Sequence, residues 1–223
     1  MQVLVTGGLG YIGSHTSVLL LEKGYDLVIV DDLSNSNEKV IENISQITSK
    51  VPVFEKIDLK DKESVSKLFN NYDFDGIIHF AAHKSVNESV NYPDKYFKNN
   101  VGSLENIIYE IQKLKKPMNF IFSSSCTVYG QADSMPINEG FELKKAESPY
   151  GQSKRKCEEI LENFHKTGHN FKNITLRYFN PIGAHPTSLI GELPIGIPEN
   201  LVPYITQTAI GKRDHLTVFG NDY

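Results

Sequence analysis

Short apolar runs alternate with longer segments of helical period through the first 180 residues. Runs rich in Val, Ile and Phe predict six strands, at residues 3–6, 27–30, 51–57, 76–80, 120–123 and 174–178. Apolar positions that recur every three or four residues predict helices at about 12–23, 64–71, 93–112 and 149–165, and a weaker one at 37–49. Because the strands are nearly continuous in apolar residues and alternate with helices, we predict a doubly wound α/β fold, with a parallel sheet covered on both faces.

The pattern changes after residue 180. Prolines and glycines are spread through a stretch without strong periodicity, at Pro181, Pro186, Pro194, Pro198, Pro203, Gly183, Gly191 and Gly196. Such a stretch predicts a long functional loop rather than an element of the sheet. A helix at about 201–210 and a strand near 216–219 are predicted to follow. The chain thus divides into residues 1–180, which carry the sheet, and residues 181–223, which begin a second, smaller region.

Composition and charge narrow the class of protein. The chain has 223 residues, of which 39% are hydrophobic and 22% charged, close to the globular average, so we predict a sizeable core. Its 23 basic and 27 acidic residues give a formal net charge of −4, which favours neither nucleic acid nor an anionic membrane as a partner. The longest apolar runs are too short to span a membrane, and no signal peptide is visible. We therefore expect a cytoplasmic protein.

The cysteine content bears on disulfides and metals. Cys126 and Cys157 are too few for a disulfide framework or a four-ligand metal centre. No cluster of His, Cys and carboxylate residues has the spacing of a metal site, so we predict no metal.

A glycine-rich turn follows the first predicted strand directly and opens the first helix. Its sequence is GGLGYIG over residues 7–13, which satisfies G-x-G-x-x-G through Gly8, Gly10 and Gly13 and the variant G-x-x-G-x-x-G through Gly7. Glycine permits the tight turn, the approach of the backbone to a pyrophosphate and the packing of helix on strand. The N–H groups and the dipole of the helix N-terminus then favour the phosphates of a dinucleotide.

Asp31, at the end of the second strand, specifies which dinucleotide is expected. It lies 18 residues beyond Gly13, near the spacing of a carboxylate that accepts hydrogen bonds from the adenosine ribose. A carboxylate there repels the extra phosphate of NADP, and no arginine lies nearby, so we predict NAD. Asp58, at the end of the third strand, is interpreted either as a contact to the adenine or as the cap of the next helix.

Tyr150 and Lys154 form a Tyr-x-x-x-Lys motif on the helix predicted to begin at Pro149. The spacing places the phenol and the ammonium on one helical face. A free tyrosine has a pKa of about 10, and Lys154 together with the positive nicotinamide ring of NAD⁺ would lower it enough to make Tyr150 a base. The sequence SSSCTVYG over residues 123–130 ends the fifth strand, where a hydroxyl can hydrogen-bond a substrate oxygen beside the tyrosine.

These motifs resemble the extended short-chain dehydrogenase/reductase superfamily and, within it, the UDP-glucose 4-epimerase family. The resemblance runs essentially end to end. It is carried by GGLGYIGSH at 7–15, DDLSNS at 31–36, SSSCTVYG at 123–130, YFNPIGAHP at 178–186, GIPENL at 196–201 and FGNDY at 219–223, in the order and spacing of that family. The later segments are more specific than the glycine turn, since they belong to the nucleotide-sugar part of the family.

The resemblance implies NAD-dependent epimerisation at C4 of a UDP-hexose, UDP-galactose to UDP-glucose, in galactose metabolism. Tyr150 would take the proton of the sugar 4-hydroxyl while the C4 hydride passes to NAD⁺, and rotation of the 4-keto sugar would let the hydride return to the other face. Ser125 would hydrogen-bond the 4-oxygen, and Lys154 would hold the nicotinamide ribose and tune Tyr150. Residues 1–180 would be the NAD-binding Rossmann domain, and residues 181–223 the start of the UDP-sugar-binding region.

The resemblance also carries over further site residues by position. Those expected to face the cofactor are Gly7, Gly10, Tyr11, Ile12, Gly13, Asp31, Asp32, Asn35, Ser36, Asp58, Leu59, Phe80, Ala81, Lys84, Asn99, Tyr150, Lys154 and Phe179. Those expected to form the UDP-sugar pocket are Lys84, Ser85, Val86, Ser125, Tyr150, Asn180, Asn200, Leu201, Thr217 and Phe219. For Phe80 and Phe179, packing in the core is compatible with the functional role.

Two other functions compete with epimerisation. Nucleotide-sugar dehydratases resemble this chain but carry an Asp-Glu pair directly after the first hydroxyl residue of the active strand, and decarboxylases keep a Glu there. Cys126 and Thr127 stand at those positions and cannot do the acid-base work of a carboxylate. A non-catalytic protein that binds NAD or a nucleotide sugar is the second alternative, and the intact Tyr150, Lys154 and Ser125 argue against it.

Two further expectations come from the family. A homodimer is expected, and the helices from Pro93 and Pro149 have apolar faces that suit either a seam between two copies or packing on the sheet. Family members also continue past FGNDY with a segment that grips the uridine diphosphate. We therefore expect the chain to retain NAD but to bind and turn over UDP-sugars poorly unless another segment completes the pocket.

Overall fold

Six parallel strands form one sheet in the computed structural model, which describes residues 1–222. In chain order they are β1 Gln2–Thr6, β2 Asp26–Asp31, β3 Val53–Lys56, β4 Gly76–His79, β5 Met118–Ser125 and β6 Phe171–Tyr178. They lie in the order β3-β2-β1-β4-β5-β6, and every neighbouring pair runs parallel. The prediction of a doubly wound α/β fold is confirmed.

Helices cover both faces of the sheet. They are α1 Tyr11–Glu22, α2 Lys39–Thr48, α3 Lys62–Asn71, α4 Val86–Asn91, α5 Pro93–Tyr96, α6 Gly102–Ile111, α7 Pro149–Lys166 and α8 Leu201–Ala209. Because successive side chains of a strand point to opposite faces, Leu4 of β1 lies in the core formed with α3, α6 and α7. Val3 and Val5 lie in the core formed with α1 and α2. The core therefore has two layers, one on each side of the sheet.

The single helix predicted over residues 93–112 forms as a continuous helix with one irregular turn. One turn of π-helix, Phe97–Val101, separates α5 from α6. The π turn contains Asn99 and Asn100, both of which are buried, and the apolar period continues through it without a visible break. The preceding helix, α4, was not predicted, although Ser85 caps it by accepting a hydrogen bond from a backbone N–H at 3.0 Å.

The strand predicted near residues 216–219 does not form. Leu216, Val218 and Phe219 are all exposed, and these residues pair with no strand within the part of the chain that the structure describes. A strand needs a neighbour that supplies hydrogen-bond partners for its backbone, so apolar and β-branched residues alone do not create one. The last residue of the FGNDY motif, Tyr223, lies outside the described residues.

The segment that follows β6 folds back over the side of the sheet that carries α1 and α2. The Tyr11 hydroxyl donates to the Gly183 carbonyl at 2.8 Å, and the Asn43 side-chain amide donates to the Leu189 carbonyl at 2.8 Å. Ile190 is buried in the core beside these helices. The predicted loop is therefore packed against the sheet domain, and it leads into α8, which was predicted at nearly the same position.

Replacement of Gly13 by alanine is expected to destabilise the fold. An added Cβ at Gly13 would lie 2.1 Å from the Gly7 carbonyl oxygen, so the backbone of the glycine turn would have to shift. We expect a loss of about 2 kcal/mol in the free energy of unfolding, as for other overpacked sites, measured by urea denaturation.

Gly102→Ala is the matched control for this substitution. Gly102 has helical backbone angles, and a Cβ there meets nothing within 4 Å. It should stabilise the protein by up to about 1 kcal/mol, because alanine favours a helix over glycine. Equal stabilities of the two variants would contradict the role of Gly13 in the turn.

Candidate active site

A cavity of about 560 Å³ lies at the carboxyl ends of the strands, where ligands bind in open parallel sheets. It extends from the turn between β1 and α1 to the start of α7. Residues 189–195 of the folded-back segment form part of its wall. The order of strands and helices in the sequence predicts a site at this edge of the sheet.

The glycine turn presents Gly7, Gly10 and Gly13 to this cavity. Gly7 has a φ of +64°, and a Cβ there would lie 2.7 Å from the backbone nitrogen of Ala81. Gly8 faces the core instead, where its Cβ would meet Ile29. The G-x-x-G-x-x-G variant of the motif is therefore the one that shapes the site. No side chain caps the N-terminus of α1, which leaves its first N–H groups available to an anion.

Both carboxylate oxygens of Asp31 hold neighbouring loops. Oδ2 accepts a hydrogen bond from the backbone N–H of Leu9 in the glycine turn at 3.1 Å. Oδ1 accepts from the backbone N–H of Leu33 at 3.1 Å and from the Ser36 hydroxyl at 2.7 Å. Asp31 is buried and lines the cavity. The side chain thus ties the glycine turn to the loop after β2, a role that the motif spacing did not reveal.

Asp32 stabilises the next turn. Its Oδ1 accepts from the backbone N–H of Ser34 at 2.9 Å and from the Ser34 hydroxyl at 2.6 Å. Burial alone would raise the pKa of Asp32, but these hydrogen bonds, with the charges of Lys60 and His83 nearby, lower it below the usual value. The carboxylate therefore stays charged at the wall of the cavity.

Asp58 lines the same end of the cavity and is ion-paired with Lys60 at 3.0 Å. Lys60 also donates to the side-chain oxygen of Asn99 at 3.0 Å. The interpretation of Asp58 as a helix cap is wrong, because Asp61 caps α3. The contact of Asp58 with an adenine stays a prediction.

Ser125, Tyr150 and Lys154 lie at the other end of the cavity. Ser125 is the last residue of β5, and its hydroxyl caps the 3₁₀ turn that follows. Tyr150 and Lys154 are in the first two turns of α7, which begins at Pro149. Both are buried among the residues at the end of β5 and line the cavity with Ser125. The three side chains predicted to do the chemistry are thus brought together.

The surroundings of Tyr150 raise its pKa, whereas the sequence predicts that Lys154 and a bound NAD⁺ together lower it. Burial raises the pKa of Tyr150, and the Ser125 hydroxyl opposes this only in part. The Lys154 ammonium donates to the Ser123 carbonyl at 2.8 Å, and burial lowers the pKa of Lys154 to about 8. The protein's own groups therefore raise the pKa of Tyr150, and a positive charge from a bound molecule would favour the phenolate.

A partly buried ion pair supports the strand that carries Ser125. The Ser124 hydroxyl donates to Glu158 Oε1 at 2.5 Å, and the Arg177 guanidinium donates to both Glu158 oxygens at 3.0 and 2.8 Å. Glu158 lies on α7 and Arg177 on β6. The pair therefore links α7, β5 and β6 directly behind the site, with the bidentate geometry that makes such pairs strong.

Most of the predicted site residues line the cavity. All the predicted cofactor-binding residues do so, and of the predicted substrate pocket Lys84, Val86, Ser125, Tyr150, Asn180 and Asn200 do so. The exceptions are Ser85, Leu201, Thr217 and Phe219. The Ser85 hydroxyl donates to Glu199 at 2.5 Å instead, and Phe219 is 89% exposed. These four residues are not part of the cavity wall, because position in a motif does not determine how a surface segment packs.

Two side chains that no motif predicts also build the site. Asn100, from the π turn, donates to the Ser153 hydroxyl at 2.9 Å and to the His83 carbonyl at 3.1 Å. Glu192, from the folded-back segment, forms an ion pair with Lys84 at 3.1 Å. Asn100 lies within an apolar helical pattern and Glu192 within a stretch without periodicity. For Asn100 the sequence did hold one signal, because a polar residue stands there on the apolar face of the predicted helix. For Glu192 the sequence held no such signal.

Residues 1–222 contain neither a metal-binding cluster nor a membrane-spanning helix. In that range no group of three or more His, Cys, Asp or Glu side chains is placed to hold a metal ion. No helix there has the length and apolar character needed to cross a bilayer. Cys126 and Cys157 are free thiols.

Known proteins share the sequence and the fold of this chain. A family model described as GDP-mannose 4,6 dehydratase matches residues 4–223. The chain belongs to the GDP-mannose 4,6 dehydratase family. It is also 48% identical over 225 residues to the UDP-glucose 4-epimerase of Schizosaccharomyces pombe, an alignment that covers 99% of this chain and 63% of that relative.

The solved structures that resemble this chain are also UDP-glucose 4-epimerases. The UDP-glucose 4-epimerase of Stenotrophomonas maltophila, with bound NAD and formylated UDP-arabinopyranose, has a TM-score of 0.95 and 45% identity, covering 100% of this chain and 66% of that one. The enzyme of Bifidobacterium longum, in complex with NAD⁺ and UDP, has a TM-score of 0.96 and 41% identity, with the same coverage. The similarity to UDP-glucose 4-epimerases that the motifs predict is confirmed. The chain spans less than two thirds of the length of these relatives.

The buried Lys154 predicts a change of stability with pH. Its pKa falls from 10.5 to about 8 on folding, so between these pH values the unfolded chain binds a proton that the folded chain does not. Stability then rises with pH across that window. We expect Lys154 to contribute about 3 kcal/mol more to the free energy of unfolding at pH 10.5 than at pH 7, from about 1.4 kcal/mol per pKa unit.

Urea denaturation of wild type and Lys154→Met at these two pH values measures the effect. The variant should be the more stable relative to wild type at pH 7 and lose that advantage at pH 10.5. Lys156→Met is the matched control, since Lys156 is on the same helix with a side chain 52% exposed, and it should follow wild type. A difference between wild type and Lys154→Met that is constant with pH would contradict the burial effect.

Proposed function

We propose that this chain carries out NAD-dependent epimerisation at C4 of UDP-hexoses, between UDP-galactose and UDP-glucose, in galactose metabolism. The observation that carries the proposal is the convergence of the glycine turn, Asp31 and the group Ser125, Tyr150 and Lys154 on one cavity. Similarity to UDP-glucose 4-epimerases over the whole chain supports the same activity.

The cavity residues fit NAD. The glycine turn leaves no room for a Cβ at Gly7 or Gly13, as expected where a backbone approaches a pyrophosphate, and the uncapped N-terminus of α1 offers N–H donors. Asp31 lies at the end of β2, where it suits an adenosine ribose and opposes the extra phosphate of NADP. When bound, NAD supplies the acceptor and donor of the C4 hydride.

Tyr150 is the proposed base and acid. Its phenol oxygen removes the proton of the sugar 4-hydroxyl and later returns it, while the Ser125 hydroxyl holds the 4-oxygen. Because the protein alone raises the pKa of Tyr150, the phenol stays protonated until a positive charge is bound beside it. Proton removal is then restricted to the protein loaded with oxidised cofactor. Lys154 holds the nicotinamide ribose.

The residues after Ser125 favour epimerisation over water elimination. Burial raises the pKa of the Cys126 thiol, so it stays neutral, and the Thr127 hydroxyl donates to Ser125 Oγ at 3.0 Å. Neither can exchange protons as a carboxylate does near neutral pH. The dehydratase for which the family model is named is therefore a weaker proposal for this chain than the epimerase.

Three broader proposals accompany this one. We assign residues 1–180 to the NAD-binding domain and 181–223 to the beginning of the UDP-sugar-binding region. We also place the protein in the cytoplasm, consistent with its free thiols.

The third proposal is a homodimer. Leu104 of α6 and Leu161 of α7 are buried against the sheet, so they are not free to contact a second copy. A seam between copies would instead use the exposed Val90 of α4, which packs beside α7, and Tyr92 just after it. Sedimentation analysis tests the dimer.

Tyr150→Phe is expected to abolish most turnover while NAD stays bound. The substitution removes the proton acceptor and little else, so the rate of UDP-glucose formation from UDP-galactose should fall about 100-fold or more, the usual worth of positioned acid-base catalysis. Calorimetry should give an NAD affinity close to that of wild type.

Tyr109→Phe, at an exposed tyrosine of α6, serves as the control and should leave the rate unchanged. Activity of Tyr150→Phe within about threefold of wild type would remove Tyr150 from the mechanism. Wild type that binds both NAD and a UDP-sugar without turnover would instead favour the non-catalytic alternative.

Substitution of Asp31 tests both its charge and its hydrogen bonds. Asp31→Asn loses the charge and keeps one acceptor oxygen, so one of the two loop N–H groups loses its partner. We expect weaker NAD binding, reduced discrimination against NADP and a melting temperature between those of wild type and Asp31→Ala. Asp31→Ala should weaken NAD binding further and also lower the melting temperature, because the glycine turn loses its anchor.

Calorimetry with NAD and with NADP, together with thermal unfolding, makes these measurements. Asp26→Ala, at the exposed start of β2, is the control. An unchanged ratio of NAD to NADP affinity in both Asp31 variants would refute the ribose contact.

A further inference from the structure

Glu192 places a carboxylate in the wall of the cavity, paired with Lys84. Glu192 Oε1 and Lys84 Nζ are 3.1 Å apart, and the Glu192 side chain is only 10% exposed, whereas that of Lys84 is 52% exposed. The Asn200 side-chain amide also donates to the same Glu192 oxygen. The carboxylate is therefore held in a defined position by two partners.

The segment that carries Glu192 is itself anchored. Tyr11 hydrogen-bonds to Gly183, Asn43 hydrogen-bonds to Leu189, and Ile190 is buried in the core. These contacts leave little freedom for Glu192 to move away from the cavity. The carboxylate of Glu192 is therefore fixed at the wall that a ligand would meet.

The charge of Glu192 also reaches the glycine turn. Burial raises the pKa of Tyr11, and the negative charge of Glu192 raises it further. Tyr11 is the first residue of α1, whose N-terminus is the anion-binding part of the cavity. A phosphate at that N-terminus would thus experience repulsion from Glu192.

Lys84 is the cation for which a phosphate and Glu192 would compete. Of the cavity-lining residues within 1–222, the lysines are Lys84 and Lys154, and none is an arginine. The Lys154 ammonium is buried on the Ser123 carbonyl, which leaves Lys84 as the exposed ammonium of the wall. Any diphosphate that approaches Lys84 meets an ammonium already paired with a carboxylate.

We propose that Glu192 is a positioning residue that competes with diphosphate ligands for Lys84 and so weakens their hold on the cavity. The inference rests on the proposed function, since both NAD and a UDP-sugar carry a diphosphate. Glu192 therefore limits the ligand affinity that Lys84 could otherwise provide.

Glu192→Gln tests the proposal because it removes the charge and keeps the size of the side chain. Calorimetry with NAD and, separately, with UDP shows which diphosphate meets Lys84. We expect the affinity for at least one of them to rise about fivefold or more, as for loss of a like charge near a bound anion. We also expect a steeper fall of that affinity with salt, because Lys84 is freed. Lys84→Met should weaken binding of the same ligand.

Glu199→Gln is the matched control. Glu199 lies on the same segment and is exposed, and it accepts a hydrogen bond from Ser85 rather than from Lys84, so its loss should leave both affinities unchanged. Glu192→Ala repeats the test if the glutamine variant does not fold, as judged by thermal unfolding.

The outcomes separate this inference from the proposed function. Wild type that binds neither NAD nor UDP overturns the proposed function. If wild type binds NAD or UDP and the Glu192 variants bind it equally well or more weakly, the competition for Lys84 is overturned. The proposed function is not affected by that result. Tighter binding with an unchanged salt dependence also overturns the competition, because Lys84 would not have been freed.

Discussion

The parallel pairing of β1 with β2 and β4 is the constraint on which the rest of the molecule depends. Thr6 pairs with Val30 on one side and with His79 on the other, so the three strands end at the same level. The glycine turn, Asp31 and the loop after β4 then emerge side by side, and the Gly7 N–H donates to the Val30 carbonyl at 2.7 Å. A shift of one residue in the pairing of β1 with β2 would separate the turn from the carboxylate that anchors it.

This alignment is reinforced from inside the core. The His79 ring shares a hydrogen bond of 2.7 Å with the Thr6 hydroxyl, which also accepts from the Ala81 N–H at 3.4 Å. Burial lowers the pKa of His79 to about 3, so the ring is neutral at physiological pH and places no charge beneath the cavity. A polar contact deep in the sheet thus orients the backbone that faces Gly7, without the cost of a buried cation.

The sequence predicted the fold and much of the site because these depend on local rules. Glycine at Gly7, Gly10 and Gly13, the carboxylate of Asp31 and the spacing of Tyr150 and Lys154 follow from backbone sterics and helical period. Glu192 and Asn100 could not be found in this way, since their partners lie far away in the sequence. The unformed strand at 216–219 shows the same limit, because strand pairing depends on a neighbour that a pattern does not contain.

The π turn Phe97–Val101 bears on whether this helix can lose a residue. A π turn accommodates one residue more than an α-helical turn, and each residue of a helix adds a rotation of about 100°. Deleting a single residue here would turn the segment into regular helix and leave the helix on either side in nearly the same orientation, but it would re-aim the side chains of the turn itself. Asn100 is among them, and it would lose its contact with Ser153, the neighbour of Lys154 on α7. Unlike an insertion in the exposed loops, a deletion here would disturb the reacting end of the cavity. The helix is therefore intolerant of length variation at this point, which lies far in the sequence from any glycine or aspartate of the motifs.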